Sequence, residues 1–284
     1  MARQAENTLR EAIVLITGGG RGIGRLYAHR LAAEGAFVVL VARSAGELED
    51  VARSIKAEGG KVATYVVDVT SKPAVERVVE DVEEKLGPLD VLINNAGVRG
   101  PIGNAWECDW DAWWSTIEVN LGGAVAFSHA VIPNMARRRK GRVVNIVSEA
   151  GVFRWPTVSA YSVSKAALIK FSENLASECR DDLLSVFAYH PGFLPLGLAS
   201  EAMDLQASAT PAEARVAAWC RAQLESSGAA SPGSSADQLI LLLSGAYDVL
   251  SGRYVTVHDD LDVLVERVSQ AVASKDYRML RTSA

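Results

Sequence analysis

Cysteine is scarce in this chain. Three occur in 284 residues, Cys108, Cys179 and Cys220. Their number is odd and their spacing wide, which excludes a disulfide framework and a cysteine-based metal site as organising features. The four histidines, His29, His129, His190 and His258, are equally scattered. His258-Asp259-Asp260 is the one cluster with metal-ligating side chains, and an exposed strand end is the simpler reading, so no metal is expected. No apolar stretch reaches the roughly 18 residues of a membrane span, and the segment Met1–Arg10 is too polar for a signal peptide. A net charge of −5 leaves no basic footprint for nucleic acid. The one basic run, Arg137-Arg138-Arg139-Lys140, closes a helical pattern just before a strand, where cations complement the helix dipole. These absences lead to the expectation of a cytoplasmic protein with reduced thiols and no nucleic-acid or membrane partner.

What is present is apolar and alternating. Hydrophobic residues make up 49% of the chain, ample for one large core. Short runs rich in β-branched residues predict strands near 12–17, 36–42, 61–67, 89–93, 142–147, 184–190 and 253–257, with helices between them. Such alternation implies an α/β fold, a doubly wound parallel sheet of about seven strands with helices on both faces. There is no internal repeat. The stretch 194–237 is rich in Ala, Ser, Gly and Pro and too long for an ordinary connection, which predicts a functional lid or a partly helical insertion. Beyond His258, the residues Leu261, Leu264, Val265, Val268 and Val272 have amphipathic helical spacing.

The first strand runs into Gly18-Gly19-Gly20-Arg21-Gly22-Ile23-Gly24, and a helical pattern follows. Strand, glycine turn and helix is the context in which backbone amides receive a pyrophosphate. The spacing is T-G-x-x-x-G-x-G rather than the commoner G-x-G-x-x-G. A second signal is Tyr161 and Lys165 in the run YSVSK. Positions i and i+4 share a helix face, so the lysine can lie beside the tyrosine and lower its pKa from the ordinary value of about 10. Ser148 lies thirteen residues before the tyrosine.

Together these motifs resemble the short-chain dehydrogenase/reductase family, over about Ala12 to His258. They stand in the family's order: TGGGRGIG at 17–24, Asp68, NNAG at 94–97, Asn120, Ser148, YSVSK at 161–165 and Pro191-Gly192. The resemblance implies a single Rossmann-like domain over 1–284, with 194–237 covering the substrate and 259–284 as a C-terminal extension. It implies Asn120, Ser148, Tyr161 and Lys165 as the catalytic set. Tyr161 would be the general acid or base, Ser148 would fix the substrate oxygen, and Lys165 would tune the tyrosine and bind the nicotinamide ribose. Asn120 would kink a helix and hold a water in a proton relay.

Cofactor contacts are implied for Gly18, Gly20, Arg21, Gly22, Ile23, Gly24, Arg43, Ser44, Asp68, Val69, Asn94, Ala96, Gly97, Tyr161, Lys165, Pro191 and Gly192. A structural role for Asn95 is an equal alternative. After the second strand, Ala42 takes the place of the carboxylate that binds an NAD ribose, and Arg43 follows it. Arg43, with Arg21 as a second cation, favours NADP(H), with NAD(H) as the alternative.

Four departures stand out from the family pattern, the fourth being the amphipathic extension after His258 with its tail DYRMLRTSA. Leu196 replaces a threonine that contacts the nicotinamide amide. Glu149 follows the serine, either paired with Arg154 or facing a polar substrate group. His258-Asp259-Asp260 stands in place of Asp-Gly-Gly. For the substrate, Phe153 and Trp155 on one side and Phe193 and Leu194 on the other suggest a wall for a hydrophobic or aromatic ketone, with core packing as the alternative. The expected activity is hydride transfer between NADP(H) and a ketone or secondary alcohol, in a homodimer or homotetramer. A non-catalytic NADP(H) sensor and an epimerase or dehydratase of the same family are the alternatives.

Overall fold

The computed structural model describes residues 9–205, 210–225 and 230–270. Seven parallel strands form one sheet in the order β3-β2-β1-β4-β5-β6-β7. They are β1 (Ile13–Thr17), β2 (Phe37–Ala42), β3 (Lys61–Val66), β4 (Val91–Asn94), β5 (Arg142–Ile146), β6 (Ser185–His190) and β7 (Tyr254–Thr256). Each lies inside or within a residue of its predicted run. The central strands are buried end to end because both faces are covered, which is why they read as continuous apolar runs.

Alternate side chains enter two different cores. Val14 and Ile16 of β1 point to a layer made by α1 (Gly22–Ala33), α2 (Ala45–Ala57), α9 (Pro232–Leu243) and α10 (Leu261–Gln270). Ile13 and Leu15 point to the opposite layer, made by α3 (Lys72–Lys85), α5 (Gly123–Arg138) and α6 (Ser159–Glu178). The strand order reverses between β1 and β4, and such a switch point opens a crevice at the carboxyl ends of the strands. Two helices, α7 (Leu198–Met203) and α8 (Pro211–Glu225), line it from outside the sheet, and a further helix, α4 (Trp110–Ile117), is tied to α6 by the Trp113 bond to Ser159.

Several expectations are refined. The stretch 194–237 is indeed partly helical, but its last residues, 232–237, are the first turns of α9. Ser231 and Ser234 cap that helix reciprocally, and Ser235 hydrogen-bonds Tyr27 of α1 and Tyr189 of β6. That end of the segment is therefore core. Val272 and the tail DYRMLRTSA lie outside the described residues. At 258–260, Asp259 accepts from Thr256 and Asp260 caps the first turn of α10. No group of metal-ligating side chains gathers among the described residues. The basic run is not simply solvated: Arg138 donates to the Leu89 carbonyl and Lys140 sits 2.8 Å from Asp90. Among the described residues no helix is long and apolar enough to cross a membrane.

Candidate active site

A cavity of about 720 Å³ runs along the carboxyl ends of the strands. One end is the glycine-rich turn between β1 and α1. Gly18 has φ +67°, and an added Cβ would sit 2.9 Å from the Ala96 backbone. Gly24 is tighter still, because a Cβ there would lie 2.2 Å from the Gly18 carbonyl. Gly24 therefore sets how closely α1 packs on the turn, and it does not face the cavity. Gly18, Gly20, Arg21, Gly22, Ile23, Arg43, Ser44, Asp68, Val69, Ala96, Gly97, Pro191 and Gly192 do line it.

Asn94 does not. Its amide donates to Asn145 Oδ1 at 2.9 Å, and Asn145 in turn donates to Ser172 on α6 at 2.8 Å. Asn94 is thus buried in a polar chain that ties β4 to β5 and α6. Asn95 braces instead, donating to the carbonyls of Thr17 and Gly18.

Ser148, Tyr161 and Lys165 meet at the other end of the cavity. Ser148 ends the extension of β5 and opens a short 3-10 turn, Glu149–Gly151, where its Oγ accepts from the Ala150 amide. That turn lies directly on α6: a Cβ on Gly151 would come within 2.7 Å of the Ala166 nitrogen. The glycine thereby brings the serine to Tyr161 in the first turn of α6. Burial pushes the tyrosine phenol above its ordinary pKa, and its hydrogen bond with Ser148 pulls it partly back. Lys165 Nζ donates to the Ile146 carbonyl at 2.8 Å and lies 5.8 Å from the centre of the Tyr161 ring. Burial lowers its own pKa to about 8. The sequence reading has Lys165 lowering the tyrosine pKa; in the folded chain burial is the largest influence, and the lowering one comes from Ser148.

Asn120 sits in a π-helical turn, Glu118–Gly122, between α4 and α5. Such turns insert one residue into a helix and recur at functional sites. Its side chain clamps Val98: Oδ1 accepts from the Val98 amide at 2.7 Å, and Nδ2 donates to the Val98 carbonyl at 2.9 Å. Nδ2 also donates to Ser164 on α6. Both amide donors are committed, and the residue does not line the cavity, so its side chain positions the loop after β4.

Arg21 and Glu149 behave differently from their sequence reading, and Arg43 does not. Arg21 is ion-paired with Glu201 on α7, and Glu47 lies 3.8 Å from its Nε. It is therefore held by carboxylates rather than offered as a second free cation. Arg43 makes no ion pair within 4 Å among the described residues, although its charge helps lower the Asp68 pKa after the hydrogen bonds from Thr70. Glu149 does not pair with Arg154; its carboxylate lies 3.9 Å from His190 Nε2.

The remaining wall is aromatic. Phe153, Trp155, Phe193 and Leu194 all line the cavity, as does Leu196. Trp219 of α8 completes that wall, with ring centres 4.5 Å from Trp155 and 5.7 Å from Phe193. Sequence reading missed Trp219, Glu47 and Arg99, which also line the cavity. The Trp155–Trp219 contact spans two segments distant in sequence, so no local pattern announces it.

The residues fit a nicotinamide dinucleotide. A glycine cradle, open to close backbone approach, lies at one end of the cavity and an acid–base pair at the other. Comparison with known proteins agrees. Residues 12–204 match the family model described as short chain dehydrogenase. A short chain dehydrogenase of Pseudocercospora fijiensis is 33% identical over 269 residues, covering 93% of this chain and 86% of that protein. Among solved structures, NAD+-bound xylitol dehydrogenase superposes with a TM-score of 0.78 at 27% identity, covering 88% of this chain and 98% of that one. A variant of actinorhodin polyketide ketoreductase with NADPH gives 0.77 at 29% identity, covering 88% and 97%.

Proposed function

The chain belongs to the short-chain dehydrogenase family and is an oxidoreductase, and we propose that within it this protein reduces a hydrophobic or aromatic ketone to a secondary alcohol with NADPH. The observation that carries this reading is the meeting of Ser148, Tyr161 and Lys165 at one end of a cavity walled by Trp155, Phe193 and Trp219.

Bound NADPH would supply the hydride to the carbonyl carbon. The chain's own residues handle the oxygen. The Ser148 hydroxyl hydrogen-bonds it and fixes its place. Tyr161 donates the proton as general acid. Burial favours the protonated phenol, the form a general acid needs. Lys165, pinned to the Ile146 carbonyl, keeps an ammonium near the phenolate that remains. Asn120 holds the loop after β4 against α6 and so positions the wall opposite the tyrosine.

NADPH is favoured because Ala42 stands where an NAD-binding carboxylate would, and the exposed Arg43 follows it without an ion pair. NADP(H)- and NAD(H)-linked proteins both occur among similar structures, so the preference rests on these two residues. The exposed indoles of Trp106, Trp110 and Trp114 support a homodimer or homotetramer. The deciding experiment titrates the protein with NADPH and NADH by fluorescence and then follows cofactor consumption over a ketone panel. The Tyr161→Phe variant should bind cofactor normally and lose turnover by about 10²–10⁴-fold. Undiminished turnover in that variant would refute the acid–base assignment.

A further inference from the structure

Arg99 follows the clamped Val98 in the loop after β4 and lines the same cavity as Ser148 and Tyr161. Its guanidinium Nε and Nη1 are shielded from solvent and have no hydrogen-bond partner. Shielded guanidinium nitrogens without a partner are costly, and native structures rarely leave them unexplained. No carboxylate of the described residues lies within ion-pair distance of it. Glu213 on α8 is engaged by the amide and hydroxyl of Thr210. Glu149, the carboxylate on the substrate side, faces His190. The guanidinium lies against α8: burial raises the Cys220 thiol pKa and the charge of Arg99 draws it back. Asn120 clamps the backbone of the preceding residue, Val98, at both its amide and its carbonyl.

We propose that Arg99 anchors a carboxylate of the substrate, which defines the substrate class as an aromatic or alicyclic ketone acid. The inference rests on the reading of this cavity as the site of ketone reduction. The two walls divide the task. Trp155, Phe193 and Trp219 receive a flat apolar body, and Arg99 supplies a planar donor fork matched to a carboxylate. The anchor then fixes which way the body lies relative to Tyr161.

The test uses the full chain with 2-naphthoate and methyl 2-naphthoate, two probes of one shape that differ by a charge. Tryptophan fluorescence reports binding to the native protein and to Arg99→Met, with Arg99→Lys as the charge-conserving control. The native protein should prefer naphthoate to its ester by about tenfold or more. Arg99→Met should lose that preference while binding the ester within about twofold of the native protein, and Arg99→Lys should recover part of it. NADPH affinity should be unchanged throughout. Equal affinity of the native protein for the two probes, or equal weakening of both in Arg99→Met, would overturn the proposal. So would weakened NADPH binding with naphthoate binding intact, since Arg99 would then serve the cofactor. Reduction of 2-tetralone, a neutral ketone, is followed separately. If naphthoate discrimination holds and no ketone is reduced, the anion site stands and the reductase reading fails.

Discussion

Arg21 in the glycine-rich turn is ion-paired with Glu201 on α7, 180 positions further along the chain. Close beneath this pair, the backbones of Gly22 and Gly197 touch: a Cβ on Gly22 would lie 3.1 Å from the Gly197 Cα. The start of α7 therefore rests on the glycine-rich turn between β1 and α1.

Removing the Glu201 charge should loosen that contact. The pair is half exposed on both sides, so its worth is at most about 1 kcal/mol. Glu201→Gln is expected to speed NADPH release by about two- to fivefold, read by stopped-flow fluorescence, with little change in thermal stability. An unchanged release rate would mean that α7 does not restrain the cofactor.

Arg43 is expected to distinguish the two cofactors. Arg43→Ala removes one charge-assisted contact, of about 1.5–3 kcal/mol, from a 2′-phosphate and nothing from a 2′-hydroxyl. NADPH affinity should fall by about ten- to a hundredfold, with NADH affinity held within about twofold. Parallel titrations check this, and an equal loss for both cofactors would remove the case for the phosphate.

His190 should make the fold sensitive to acid. It is buried, its Nδ1 has no partner, and burial together with the nearby His258 lowers its pKa to about 4. A hydrogen bond to the Val147 backbone pulls in the opposite direction. In the unfolded chain a histidine titrates near 6.5. Between those values the unfolded chain binds a proton that the folded chain does not, so stability falls as pH drops from about 6.5 to about 4. The full effect is about 3 kcal/mol. Urea denaturation across that window should show the slope in the native protein and a flatter one in His190→Gln. Identical slopes would assign the acid sensitivity to other groups.

β1 and β2 were legible because each is a short apolar run rich in β-branched residues and buried at nearly every position. The glycine turn, Ser148, Tyr161 and Lys165 were legible because their chemistry demands particular residue types at short spacings. Which of Asn94 and Asn95 would turn toward the cavity was not legible. Adjacent residues at a strand end point opposite ways, and the choice depends on Asn145 and Ser172 waiting on other elements. Trp219 reads as an ordinary apolar position of an amphipathic helix, and its role appears only when α8 is laid across Trp155. Arg21 looks like a free cation in sequence because Glu201 is so distant along the chain.

The hydrogen-bonded chain Asn94–Asn145–Ser172 has a consequence for how this protein can change. It locks the heights of β4, β5 and α6, and so the reacting half of the cavity is inherited with the sheet itself. The opposite half, α7 and α8, packs on that frame through a small buried cluster of Val158, Ala202, Val216 and Cys220, through aromatic rings and through a surface ion pair. Outside that cluster, substitutions in α7 and α8 leave the frame that carries Ser148, Tyr161 and Lys165 in place. New substrates are therefore open to this fold by rewriting one removable wall, while the chemistry performed behind it stays the same.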